Sequence, residues 1–157
     1  MISFACKLTT CPGMGTENIW KNWLTSSLGQ KLLAEEKEWF DKNLEDIFGY
    51  HAVQICPYCF DSLKKNRIVY KYRFSFGSCE GLIDGHDNLF VVAPENLPLP
   101  SDSVDLFVLV HVFETLHEPH SLLREVERVL RPEGKLIISS LNPYGLWAIN
   151  RYFNDVN

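Results

Sequence analysis

The segment from Val104 to Val112 constrains the fold most, because it is a nearly continuous apolar run of strand length. Such a run is typical of a strand that is buried on both faces of a parallel sheet. Pro119 then fits the first turn of a helix, and apolar residues recur at helical spacing after it. Pro132-Glu133-Gly134 is expected to end this helix, and Lys135–Ser140 has the pattern of a second buried strand. Strand, helix and strand in this order predict a right-handed, parallel βαβ unit.

Two helices are predicted ahead of these strands. In Thr16–Leu28 the large apolar residues recur at helical spacing, and Gly29 is expected to end that helix. Lys31–Phe48 repeats the pattern, with Gly49 as the expected C-cap. Two helices followed by strands indicate an N-terminal helical part joined to a sheet.

Three shorter segments have strand character. His51–Cys56 is apolar, Arg67–Ser75 alternates between apolar and polar residues, and Leu89–Ala93 is a short apolar run. Together with the βαβ unit they predict an α/β fold, a Rossmann-like and mostly parallel sheet with flanking helices. We expect one domain over residues 1–157, with a helical part at 1–48 and the sheet at 49–157.

Composition narrows the function classes. Hydrophobic residues make up 46% and charged residues 22% of the chain, as in ordinary globular proteins. The net charge of −5 does not attract phosphate backbones, so we expect no nucleic-acid partner. No apolar run reaches the roughly 18 residues of a membrane span, and the first residues do not resemble a secretory signal. Five cysteines, an odd number, favour a reducing compartment, so we expect a cytoplasmic protein.

Two blocks of sequence resemble a known family. Leu97–Leu106, together with Leu122–Ile138, resembles class I S-adenosylmethionine-dependent methyltransferases, and in particular a proteobacterial branch of the type 11 methyltransferase-like proteins. Leu28–Glu36, Phe48–His51 and Asn142–Trp147 are also similar to that branch. The resemblance implies a methyltransferase that uses S-adenosylmethionine and acts on a small molecule or another acceptor that the sequence does not identify.

The resemblance also implies where the site lies. In an open parallel sheet, ligands bind beyond the carboxyl ends of the strands. Loop residues after the third predicted strand would flank the adenine, and residues after the buried strand would face the methionine end and the acceptor. The residues implied to contact the cofactor are Ile55, Cys56, Ala93, Glu95, Asn96, Leu97, His111, Val112 and Phe113. His111 and Glu114 are the candidate catalytic residues, no metal is expected, and Asp105 is interpreted as structural.

Three features depart from the family pattern. The loop after the first strand, Cys56–Phe60, contains no glycine, although the cofactor's close approach usually requires one there. Ala93 stands where an acidic residue is expected on the adenine side. The complete fold adds two strands after Lys135–Ser140, and we expect this chain to lack them. An exposed sheet edge would then be available for a homodimer.

Two alternative functions stay open. The chain could be a non-catalytic methyltransferase-like protein that acts through a partner or a dimer. Cys56-Pro57-Tyr58-Cys59 also has the form of a dithiol oxidoreductase motif. A zinc site from Cys6, Cys11, Cys56 and Cys59 is a further alternative, but buried thiols without chemistry are the simplest explanation of these cysteines.

Overall fold

Two helices and five strands lie in the part of the chain that a computed structural model describes, residues 26–56, 61–76, 89–116 and 118–141. In chain order they are α1 (Ser27–Leu44), β1 (His51–Ile55), β2 (Tyr70–Ser75), β3 (Leu89–Val91), β4 (Val104–Val110), α2 (Pro119–Val129) and β5 (Leu130–Ser139).

The five strands form one sheet in the order β3-β2-β1-β4-β5, and every neighbouring pair is parallel. Ala52 of β1 lies opposite Leu106 of β4, which in turn lies opposite Lys135 of β5. The chain order reverses between β1 and β4, which makes their carboxyl ends a topological switch point. The predicted α/β, Rossmann-like fold is confirmed.

The side chains of β4 alternate between the two faces of the sheet. Leu106 and Val108 belong to a core cluster that includes Phe40 of α1, and Phe107 belongs to a second cluster that includes Leu122 of α2. Because both faces are covered by helices, β4 is apolar at nearly every position. The helix α1 therefore shares a core with the sheet.

The predicted boundaries of the first helices are wrong at both glycines. Helix α1 runs through Gly29 because it begins at Ser27, where Ser26 is the N-cap and its Oγ accepts a hydrogen bond of 3.2 Å from the Gly29 N–H. It ends at Leu44, so Gly49 is not its C-cap. A Cβ at position 49 would lie 2.5 Å from the Cβ of Asp105. Gly49 is thus required for a close approach between two segments.

The turn Pro132-Glu133-Gly134 also differs from expectation. Helix α2 ends earlier, at Val129, and the turn lies within the range of β5. Glu133 has a left-handed backbone, with φ of 70°, and the register between β4 and β5 shifts between Val104 and Leu106. The first residues of β5 are therefore irregular in their backbone conformation and in their pairing with β4.

Strand β5 forms one edge of the described sheet, and its side chains Leu136 and Ile138 are 38% and 44% exposed. The expected absence of two further strands concerns residues after 141, which lie outside the described part. So do most of Thr16–Leu28 and the thiols of Cys6, Cys11 and Cys59. Neither described helix combines the length and apolar character that crossing a bilayer requires.

Candidate active site

The carboxyl ends of β1, β3 and β4 bring the predicted site residues to one edge of the sheet. Cys56 follows β1, Ala93–Leu97 follow β3, and His111–Glu114 follow β4. Parallel strands end on the same side, so these segments lie together at the carboxyl edge, which is the position of the ligand crevice in open α/β sheets.

His111 lies at the end of β4 with a strained backbone. Its φ is 51°, a left-handed conformation that costs a residue with a Cβ about 1–2 kcal/mol. The residue is only 2% exposed, and its N–H donates a hydrogen bond of 2.8 Å to the carbonyl of Ser139. Strain of this kind is tolerated where surrounding contacts fix the residue, and it is frequent at functional sites.

Both ring nitrogens of His111 are paired with carboxylates. Nε2 lies 2.8 Å from Oε1 of Glu36, and Nδ1 lies 3.2 Å from Oε1 of Glu114. Burial opposes the positive charge, but the hydrogen bonds to Glu114 and Glu36 outweigh it and raise the pKa of His111 to about 9. At neutral pH the ring is therefore an imidazolium that donates at both nitrogens.

The two carboxylates are anchored on one oxygen each. Oε1 of Glu36 also accepts a bond of 2.7 Å from the Ser139 hydroxyl, and Oε1 of Glu114 accepts one of 2.6 Å from the Leu141 N–H. The second oxygens, Oε2 of Glu36 and of Glu114, are buried without a hydrogen-bond partner in the described part of the chain. Buried acceptors in this state are costly and rare.

The loop after β3 is held by a charged pair on α2. Oε2 of Glu125 accepts a bond of 2.9 Å from the Leu97 N–H, and Nη1 of Arg128 donates a bond of 2.9 Å to the Leu99 carbonyl. The adjacent Arg128, and then the Leu97 N–H, lower the pKa of Glu125 to about 2. These bonds fix the backbone of the segment that was expected to flank the adenine.

The predicted cofactor residues have different environments. Four of them direct their side chains into the two core clusters, so that only their backbones are available at the crevice: Ile55, Cys56, Leu97 and Val112. Ala93, Glu95 and Asn96 are exposed, and Phe113 is half-buried. Their contacts with a cofactor stay predictions.

Asp105 has a structural role, as predicted, but its hydrogen-bond partners lie far from it in the sequence. Its Oδ2 accepts hydrogen bonds of 2.7 Å and 2.9 Å from the N–H groups of Tyr50 and His51, and its Oδ1 pairs with Arg131 at 2.9 Å. Burial raises the pKa of this carboxyl, but the three donors together lower it below its usual value. Asp105 therefore joins the loop before β1 to the start of β4 and β5.

Sequence reasoning missed Glu36 and Ser139. Glu36 is three residues after Leu33 and four before Phe40, so it lies on the apolar side of α1. A carboxylate on the buried face of a helix needs a partner, and this placement was the available signal. Ser139 gave no signal, because it is an ordinary serine at the end of a strand.

Comparisons with known proteins agree with this fold. The family model described as a methyltransferase domain matches residues 76–138. Over 138 residues the chain is 33% identical to a malonyl-[acyl-carrier protein] O-methyltransferase of Hahella chejuensis, covering 85% of this chain and 49% of that protein. Over 58 residues it is 40% identical to the Escherichia coli protein YafS, covering 37% of this chain and 24% of that one. The chain thus spans half or less of the curated relatives it matches.

A solved structure has the same fold. The crystal structure of a SAM-dependent methyltransferase from Aquifex aeolicus has a TM-score of 0.54 and 19% identity to this chain, over 88% of this chain and 86% of that one. The matches favour the methyltransferase interpretation over the dithiol oxidoreductase and the non-catalytic alternatives. Cys56 agrees with this ranking, since it is only 4% exposed and a buried thiol is poorly reactive. Cys59 lies outside the described residues.

Proposed function

The chain belongs to the class I S-adenosylmethionine-dependent methyltransferase family, and on that premise we propose that it binds S-adenosylmethionine at the carboxyl edge of its sheet and methylates an acceptor. The proposal is supported chiefly by the pair of buried, unpartnered carboxylate oxygens on Glu36 and Glu114, beside the carboxyl end of β4.

The donor set of this crevice fits the cofactor. With His111 charged, the three side chains carry a net charge of −1, and each carboxylate has one free acceptor oxygen. The methionine part of the cofactor carries an ammonium group and a sulfonium, both cationic, which such acceptors would stabilise. Glu36 and Glu114 would hold the cationic end, and the backbone of 93–97 would border the adenine.

When bound, S-adenosylmethionine supplies a methyl group on a positively charged sulfur, which an oxygen, nitrogen or carbon nucleophile can attack. The chain contributes by aligning the two reactants and excluding water, which accounts for much of the rate in such transfers. Because the free oxygen of Glu114 would contact the cofactor, we assign the loss of the acceptor's proton to solvent.

We propose that His111, one of the two candidate catalytic residues, does not act as a general base. A base must be unprotonated and have a free nitrogen, whereas both nitrogens of His111 donate to carboxylates and its pKa is raised to about 9. We therefore assign to His111 the positioning of Glu114.

One relative indicates which methyl acceptor to test first. The relative from Hahella chejuensis is named for malonyl-[acyl-carrier protein], and this makes the same molecule the first acceptor to test here. This chain spans about half of that protein, so the acceptor specificity of this chain has to be tested separately.

Calorimetric titration with S-adenosylmethionine tests the proposal. We expect a dissociation constant in the micromolar range, equivalent to about −8 kcal/mol. Glu114→Gln should bind at least several-fold more weakly, because it replaces one of the two anionic acceptors. Glu118→Gln is the matched control, since Glu118 is an exposed carboxylate in the same connection and should leave binding unchanged. Absence of binding to folded wild-type protein at millimolar ligand would refute the proposal.

Three further predictions accompany it. We propose one domain over residues 1–157, supported by the core that α1 shares with the sheet. We propose a homodimer through the outer edge of β5, supported by the exposed Leu136 and Ile138. Light scattering with size exclusion would measure the mass, and a monomer at high micromolar concentration would contradict the dimer. A cytoplasmic location is proposed from cysteine usage alone.

A further inference from the structure

We propose that Glu36 is a positioning residue of the methyl-transfer site, which fixes His111 and, through it, the carboxylate of Glu114. The inference rests on the proposed function, because it concerns the same crevice. It assigns a role to α1, a helix outside the residues that the family model matches.

The contacts of Glu36 join three elements at one oxygen. Its Oε1 accepts bonds from His111 Nε2 at 2.8 Å and from the Ser139 hydroxyl at 2.7 Å. His111 follows β4 and Ser139 ends β5, so a single side chain ties α1 to the carboxyl ends of two neighbouring strands. Two charge-assisted hydrogen bonds to one oxygen leave the carboxylate little rotational freedom.

His111 carries this restraint to Glu114. An imidazolium can donate at both nitrogens, whereas a neutral imidazole donates at only one. With Glu36 charged, the ring stays protonated and can donate to both carboxylates at once. Without that charge the ring loses one anionic partner, and in its neutral form it can no longer donate to both sides. Glu114 would then lose the bond that orients it.

The buried Oε2 atoms explain why orientation matters here. Oε1 of each glutamate is occupied, and Oε2 of each is buried and has no hydrogen-bond partner among the described residues. A change of one carboxylate rotamer would exchange the two oxygens. Helix α1 thereby determines which carboxylate oxygens are available to the cofactor.

Glu36→Gln is the first test variant, since it removes the charge at constant shape. Glu35→Gln is the matched control on the same helix, with an exposed side chain and the same change of charge. NMR of the His111 imidazole over pH 5–10 reports its pKa without any ligand, and calorimetry reports the affinity for S-adenosylmethionine. We expect the pKa of His111 to fall only in Glu36→Gln and the dissociation constant to rise roughly tenfold or more.

Glu36→Asp provides a second, independent test if Glu36→Gln folds poorly. The aspartate keeps the charge but moves it by one methylene, so His111 should stay protonated while cofactor affinity falls several-fold. An unchanged His111 titration in Glu36→Gln, or cofactor affinities equal to wild type in both variants, would overturn the positioning role. If wild-type protein itself fails to bind S-adenosylmethionine, the proposed function fails, and the role of Glu36 in it fails too. The two failures are distinguishable, because failure of the proposed function appears in the wild-type protein, whereas failure of the positioning role alone appears only in the variants.

Discussion

Oε1 of Glu36 and Nε2 of His111 lie 2.8 Å apart, although 75 residues separate them in the sequence. The pair joins a helix that precedes the sheet to the end of β4, a strand buried on both faces. A buried ion pair contributes little to stability over an apolar pair of the same size, but removing one partner leaves an uncompensated charge. The pair therefore specifies where α1 docks, and it makes that docking sensitive to the protonation of His111.

This sensitivity predicts that stability falls at alkaline pH. The pKa of His111 is about 9 in the folded chain and near 6.5 when unfolded. A group whose pKa is raised by folding contributes its full stabilisation below the unfolded pKa and loses it as pH rises through the folded pKa. We expect the free energy of unfolding in urea to fall by about 3 kcal/mol between pH 6 and 10 on account of His111.

His111→Gln removes this titration, so the difference between wild type and variant should shrink over the same pH range. His120→Gln is the control, because His120 is exposed on α2 and should leave the pH profile parallel to that of wild type. Wild-type stability that is constant from pH 6.5 to 9 would show that His111 is not protonated between the carboxylates.

A second prediction concerns Asn66, which is 5% exposed and satisfies the end of α1. Its amide N–H groups donate to the carbonyls of Leu44 and Ile47, and its Oδ1 accepts a bond of 2.8 Å from the Ile68 N–H. Asn66→Ala leaves the Ile47 carbonyl and the Ile68 N–H without these bonds, whereas the Leu44 carbonyl still accepts from the Ile47 N–H, and it should lower the free energy of unfolding by about 3 kcal/mol. Asn43→Ala removes an exposed amide-to-carbonyl bond and should change it by less than about 0.5 kcal/mol. Equal effects in urea titrations would contradict this interpretation.

Much of the fold follows from patterns that are local in the sequence. A strand that is buried on both faces is apolar throughout, and a helix that is buried on one face has apolar residues at helical spacing. These two patterns, in β4 and α2, predicted the βαβ unit. The boundaries at Gly29 and Gly49 were wrong because glycine ends a helix only when the local backbone needs it. At Gly49 the need comes from Asp105, which is 56 residues away in sequence and which no local pattern reveals.

That contact gives a third prediction. An alanine Cβ at position 49 would lie 2.5 Å from Cβ and 2.7 Å from Cγ of Asp105, so Gly49→Ala forces the two segments apart. The displacement also weakens the bonds from the Tyr50 and His51 N–H groups to Asp105. We expect a loss of about 1–3 kcal/mol in urea unfolding. Phe48→Ala, at a neighbouring side chain that is 68% exposed, should cost little, and a Gly49→Ala variant as stable as wild type would exclude the steric requirement.

The candidate site was predictable in part, for the same physical reason. His111 and Glu114 are close in sequence at the end of a predicted strand. Because ligands bind beyond the carboxyl ends of parallel strands, both residues could be predicted as site residues. Glu36 reaches them only through tertiary packing. The roles of individual side chains also depend on packing. Leu97 and Val112 were predicted to contact the cofactor, but their side chains lie in the core.

The fourth prediction concerns the loop after β3, whose backbone is held by Arg128. The guanidinium donates to the carbonyls of Leu97 and Leu99, and it pairs with Glu125 at 2.7 Å. Arg128→Ala frees the loop that we expect to border the adenine, so the dissociation constant for S-adenosylmethionine should rise roughly tenfold. The ion pair with Glu125 should add little to the cost in stability, because Arg128 is partly exposed to solvent. Arg124→Ala removes an exposed arginine of the same helix and should change neither quantity. If calorimetry gives the same affinity for Arg128→Ala and wild type, the backbone of this loop does not contribute to the cofactor site.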